Sequence, residues 1–263
     1  MTDRDAEEFG RWDRAQREKR WRKALADYGF PFELAPGHSA QAALDAARRK
    51  QAGRAVTPII LAPGNWNSEP MTPQERIVQA LEEIADIPPT AALGRDYLAR
   101  QAAKWQCYRE DDAAAPDLTL FERLAPVPAK PPETGIYLLK DFLYPKMDRV
   151  LWPQVAIVEV PTPHHHEVPV YLDWGNWNEV PPSVELAAVT LYWQDKYGAR
   201  LIAVGNDQLE FSVQRKPATF ADACAVFHEH FLFGPDPVEF KAEALAQYSA
   251  DLLLQDTWVF WWD

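Results

Sequence analysis

The sequence predicts an α+β fold: a mixed, mainly antiparallel sheet flanked by helices, with an N-terminal helical extension. Three observations lead there. Short apolar, β-branched runs bounded by turn residues read as strands, Val56 to Leu61, Val155 to Val160 and Val168 to Leu172 among them. Segments with helical periodicity open on capping residues, at Ser39, Thr72, Ser183 and Thr219. Two alternating runs meet at Gly205-Asn206-Asp207, the signature of an antiparallel hairpin.

Taken in order, the first segment reads as a helix. Phe9, Trp12, Leu25 and Tyr28 are spaced among Arg, Lys, Asp and Glu, and Gly29 with Pro31 ends it. Phe30 to Leu34 reads as a short strand, and Ser39 as the cap of a helix over Ala40 to Lys50. Val56 to Leu61 is a buried strand. After the loop that follows it, Thr72, Pro73 and Glu75 form a capping box, and Ile77, Val78, Leu81 and Ile84 give its helix an apolar face that stops before Pro88-Pro89.

Residues 110–134, acidic and rich in Pro and Ala, read as a connector between an N-terminal helical/αβ lobe (1–109) and a C-terminal α+β domain (135–263).

In the second half, Val155 to Val160 and Val168 to Leu172 read as strands. Ser183 caps a helix that runs to Tyr197 and stops at Gly198. Leu201 to Val204 and Gln208 to Val213 form the hairpin. Thr219 opens a helix with Phe220, Cys224, Phe227 and Phe231 as its core stripe, and another spans about Glu239 to Leu254. Trp258 to Trp262 is apolar on both faces, which predicts a central or doubly covered strand and an ordered C-terminus.

Composition narrows the function. The net charge is -12 and the pI near 5.0, which argues against a nucleic-acid binder, since that role needs cations to displace phosphate counterions. No run reaches the roughly 18 apolar residues of a membrane span. The charged N-terminus lacks the apolar core of a secretory signal. Cys107 and Cys224 cannot build a disulfide framework and fit a reducing compartment, so the cytoplasm is expected. The 11 Trp supply core, and a few can serve a recognition surface.

One motif occurs twice. Residues 57–70 and 168–181 share seven of fourteen positions without a gap, including Gly-Asn-Trp-Asn, and each copy reads as strand, loop, Pro and capped helix. Such a loop before a helix start is a common ligand position. Asn65, Trp66, Asn67, Asn176, Trp177 and Asn178 are therefore candidate binding residues. The same Asn side chains also suit tying the turn, and the Trp suit plugging the core.

The ordered series Gly175-Asn176-Trp177-Asn178, Tyr192-Trp193-Gln194-Asp195-Lys196-Tyr197-Gly198-Ala199, Asp207 to Val213, Glu229-His230-Phe231, Pro235-Asp236 and Trp258 to Asp263 resembles a bacterial family of domains of unknown function, number 4253. The resemblance covers the C-terminal half and implies its fold and domain, not an activity. The family often has Cys where Gly234 stands here.

Phosphate loops, dinucleotide fingerprints, nucleophile elbows and zinc knuckles are all missing from the sequence. His164 and His166 would point the same way in an extended chain, which makes them weak candidates for a metal. Asp207, Glu229 and His230 are further candidate binding residues if they share a cleft with the Gly-Asn-Trp-Asn loops.

The expected function is a non-enzymatic binding protein with a basic protein partner, in its specific form an immunity-type protein that neutralises a basic toxin. No cofactor, nucleic acid or membrane is expected. The competing reading is an enzyme or small-ligand binder.

Overall fold

Twenty-six residues from Asp3 to Tyr28 form helix α1, whose C-terminal half buries Trp21, Ala24, Leu25 and Tyr28 against the sheet. The computed structural model describes residues 3–63, 71–131, 140–141, 150–205, 207–235 and 240–262. Beyond α1, these residues form strand β1 (Phe32–Pro36), helix α2 (Ala40–Lys50), strand β2 (Thr57–Leu61) and helices α3 (Pro73–Asp86) and α4 (Ala91–Asp111). A small ribbon, β3 (Lys140–Asp141) and β4 (Val150–Leu151), precedes strand β5 (Gln154–Val160). Then come the short helix α5 (Val168–Tyr171), helix α6 (Ser183–Tyr197), strands β6 (Arg200–Val204) and β7 (Gln208–Ser212), helices α7 (Phe220–Phe233) and α8 (Ala242–Asp251), and strand β8 (Thr257–Trp261).

Six strands form one sheet in the order β1-β5-β2-β6-β7-β8. Only β2 and β6 pair in parallel; the other four neighbouring pairs are antiparallel. The mixed, mainly antiparallel α+β reading matches this sheet. Strand β5 follows the connector yet lies between β1 and β2, so the sheet is built from both sides of residues 110–134. The connector is itself pinned, because Phe121 is buried among Phe227, His228, Phe231 and Phe240.

Period-two alternation sorts the strands onto two cores. Ile59, Leu61, Val158, Leu209, Phe211, Trp258 and Phe260 face a large core shared with α1, α4, α6, α7 and α8. Ile60, Ile157 and Ile202 face a smaller one closed by Ala40 and Leu44 of α2 and by Trp152. The start and stop signals act as the sequence predicts. Thr72 and Thr219 make full capping boxes with Glu75 and Asp222, and Gly198 ends α6 at φ +64°.

Four local expectations are corrected. Val168 to Leu172 is not a strand: Val168–Tyr171 is one helical turn with Pro169 at its start, buried on all sides. A short apolar run carries no period that separates strand from buried helix, and Pro at the first turn favours the helix. The repeated motif therefore follows a strand in its first copy and a helical turn in its second. Strand β8 lies at the edge of the sheet, not inside it; Trp258 and Phe260 point into the core while Val259 and Trp261 are only partly covered. Pro182 takes the N-cap position of α6, and Ser183 is its first helical residue. Ser39 does precede α2, but its hydroxyl donates to Pro36 O rather than capping the helix.

Helix α4 has no counterpart among the sequence expectations. Its apolar and polar residues are not segregated onto faces, so periodicity does not reveal it, although Thr90 caps it through Leu93 N–H at 3.1 Å. It packs on α6 at close range. A Cβ placed on Gly94 would lie 2.4 Å from Ala188 O, so only Gly permits the crossing.

Candidate functional site

The turn leading to α6 is Asp173-Trp174-Gly175-Asn176-Trp177-Asn178. Asp173, Asn176 and Asn178 all have positive φ (48°, 61° and 48°), and Gly175 has φ +129°. Asp and Asn tolerate this region better than other residues with a Cβ. Gly175 is obligatory on contact grounds as well, because an added Cβ would sit 2.4 Å from Pro181 O. The turn is held by Asn176 N–H donating to Pro181 O at 3.0 Å and by the Trp174 indole donating to Gly205 O at 2.8 Å. The Gly-Asn-Trp-Asn sequence is thus a backbone device first.

The device also opens a cleft. Gly175 and Asn176 line a solvent-open cavity of about 630 Å³, together with Asp173, the end of α3 (Glu83, Asp86, Ile87), the first half of α4 (Leu93, Arg100) and the start of α6 (Pro182 to Glu185). Four carboxylates face one guanidinium there, so the lining is acidic. Arg100 is paired with Glu185, and Glu83 accepts from Ser183 Oγ at 3.1 Å and from Gln79 Nε2 at 2.8 Å. Asp86 and Asp173 have no ion-pair partner among the described residues. Both are exposed. The N-terminus of α6 would favour an anion, but Glu83 and Glu185 already sit on it. The net field at the cleft suits a cation.

The other candidate residues are placed elsewhere. Trp177 is half-buried, its ring edge-on to Trp174 at 6.1 Å, and Asn178 is exposed. Asp207 lies in the β6–β7 turn, where its carboxylate accepts from the Trp261 indole at 3.4 Å. Glu229 meets the last turns of α6: it accepts from Tyr192 Oη at 2.9 Å, Trp193 Nε1 at 3.0 Å and Lys196 Nζ at 2.7 Å. Burial works against the Lys196 ammonium. Its hydrogen bonds to Glu229, Tyr192 and Tyr197 outweigh that and hold its pKa above the ordinary value. His230 is enclosed by Trp193, Trp258 and Phe260, with ring centroids 4.4–5.4 Å away, and burial pushes its pKa down to about 3.

Expectation and structure part here. Asn176 lies in the turn before α6, which starts at Ser183, and Glu229 meets the helix at Tyr192 to Lys196, about 15 Å along its axis at 1.5 Å per residue. Trp262, Phe233, Phe260 and Trp193 fill the space between Trp174 and His230. One cleft shared by Asn176, Trp177, Asn178, Asp207, Glu229 and His230 is therefore not formed. Asn65, Trp66 and Asn67 lie outside the described residues, as does Asp236.

Nor do His164 and His166 form a joint ligand pair on an extended strand. His165–Glu167 is a 3-10 turn that buries His166 and leaves His164 exposed. Among the described residues no group of three His, Cys, Asp or Glu side chains is arranged to hold a metal ion. None of their helices is long and apolar enough to cross a membrane.

Glu83, Asp86, Ile87, Arg100, Asp173 and Glu185 are the cleft residues that sequence reasoning does not single out. They come from three helices and a turn, and no local motif contains them. The available signal is Asp173, which adjoins the repeated motif at the position where the first copy has Ala62.

No curated protein and no solved structure matches the chain. The C-terminal part of the chain, residues 156–263, matches the family model of a domain of unknown function, DUF4253.

Proposed function

We propose that this is a non-enzymatic binding protein that acts in the cytoplasm on a basic protein partner, in the manner of an immunity protein neutralising a basic toxin. The observation that carries the reading is the acidic cleft, where Asp86 and Asp173 add negative charge that no described ion pair offsets. The cleft joins the matched part of the chain (Asp173, Asn176, Glu185) to residues outside it (Glu83, Asp86, Arg100). An acidic concavity on a chain of net charge -12 draws a cationic surface in and raises its association rate.

The test is a pull-down from source-cell lysate at low and moderate salt, with wild type beside the Asp86→Asn/Asp173→Asn double variant. A stoichiometric basic protein retained by wild type, released by salt and lost from the double variant is the expected result. Binding indifferent to salt and to both substitutions would sink the proposal.

One observation favours a second reading. A cavity of about 630 Å³ with apolar walls falls within the size range of small-ligand sites. A small organic cation would then be the ligand, and the lysate experiment would return no protein.

A further inference from the structure

The cleft is not uniformly polar. Ile87 is 50% exposed, and Leu93, Pro182 and Val184 continue the apolar wall beside the carboxylates. Ile87 follows the last turn of α3, donates its N–H to Glu83 O at 3.0 Å and precedes Pro88-Pro89, so its backbone is fixed. A half-exposed isoleucine lining the same cleft as two carboxylates that have no ion pair among the described residues is the composition of an interface anchor point: an apolar centre with a charged rim.

We infer that the cleft docks a partner segment through two neighbouring side chains, a cationic one between Asp86 and Asp173 and an aliphatic one against Ile87 and Leu93. This rests on the proposed basic partner and adds how that partner is recognised. Charge complementarity selects the Lys or Arg. The exposed Ile87 selects the aliphatic neighbour, because covering it removes apolar surface from water while a free cation leaves it wet. Arg100, held by Glu185 in the cleft lining, repels a second cation and so restricts where the segment's cation can sit.

Four probes decide the matter: the blocked peptides acetyl-Gly-Arg-Leu-Gly-amide, acetyl-Gly-Arg-Gly-Gly-amide and acetyl-Gly-Gly-Leu-Gly-amide, and the free cation agmatine. Binding to the full chain is followed by amide chemical shifts of Asn176 and Ser183. The Arg-Leu peptide is expected to bind about tenfold more tightly than the Arg-Gly peptide, the effect of burying one aliphatic side chain. Ile87→Ser should erase that difference and leave Arg-Gly binding unchanged, whereas Asp86→Asn/Asp173→Asn should weaken both Arg peptides. These positions are exposed, and unchanged amide spectra away from the cleft report that each variant is folded.

Equal affinity for the Arg-Leu peptide, the Arg-Gly peptide and agmatine would overturn the two-side-chain docking and leave a cation site standing. No binding by any probe would overturn the docking and remove the cleft from the proposed function as well.

Discussion

The Trp193 indole N–H donates to the Glu229 carboxylate at 3.0 Å, with Trp193 wholly buried at the centre of the aromatic core. The same carboxylate accepts from Tyr192 and Lys196, so one acidic side chain of α7 fastens two turns of α6. Glu229→Ala leaves the buried Trp193 indole N–H without its acceptor and takes the carboxylate from the Lys196 ammonium, which keeps its hydrogen bond to Tyr192 Oη. The expected cost is about 2–4 kcal/mol, measured by urea unfolding. Glu229→Gln keeps an acceptor and should recover part of that loss. A loss below about 0.5 kcal/mol for the Ala variant would place Glu229 among ordinary surface residues.

Acid should weaken the fold through His230. Burial lowers its folded pKa from 6.5 to about 3, and His165 is lowered to about 3 as well, by burial first and then by the nearby His166, Arg200 and Arg48. With both folded values depressed, the unfolded chain binds protons first as pH falls. The stability held by the neutral rings is complete above about pH 6.5 and is lost progressively toward about pH 3. Each ring contributes a slope of at most about 1.4 kcal/mol per pH unit in that window. His230→Phe keeps an aromatic ring among Trp193, Trp258 and Phe260 and removes one titration. Urea midpoints at about pH 7 and about pH 5 should therefore converge in this variant relative to wild type, and an unchanged difference would contradict the assignment.

The α4–α6 crossing gives a sharper test of packing. Gly94→Ala directs a methyl group at the Ala188 carbonyl, 2.4 Å away on the unrelaxed backbone, and backbone cannot rotate aside as a side chain would. Overpacking of this kind costs about 1–3 kcal/mol, in spite of the gain in helix propensity of about 1 kcal/mol that Ala brings. Thermal unfolding should show a lower midpoint. A midpoint equal to or above wild type would mean that the helices separate freely.

These residues also show what a sequence can reveal. Thr72, Thr219 and Gly198 act through neighbours three or four positions away, so their roles are legible from the chain alone. Val168–Tyr171 is not legible in that way: its four apolar residues suit a strand or a buried turn, and only contacts with α3 and α6 decide. The cleft is hidden for a related reason. Asp86, Arg100 and Asp173 meet through the packing of α3 and α4 against the turn before α6, and helix α4 has no segregated face to announce it. Asn176 was visible because its turn is local. Glu229 and His230 stood out by composition, although their surroundings make them structural.

The turn itself separates backbone from side chain. At Gly175 both φ (+129°) and the approach of Pro181 O exclude a Cβ, so Gly175→Ala should displace the turn, lower stability by about 2–3 kcal/mol and close or distort the cleft. Asn176 differs: its φ of +61° suits Gly at least as well as Asn, so Asn176→Gly relieves local strain and retains the Asn176 N–H to Pro181 O bond. Its stability should stay within about 0.5 kcal/mol of wild type. If the Asn176 amide serves the ligand, this variant binds the Arg-Leu peptide several-fold more weakly while unfolding at the wild-type urea concentration. If it serves only the turn, binding and stability both survive, and recognition then falls to Asp86, Asp173 and Ile87.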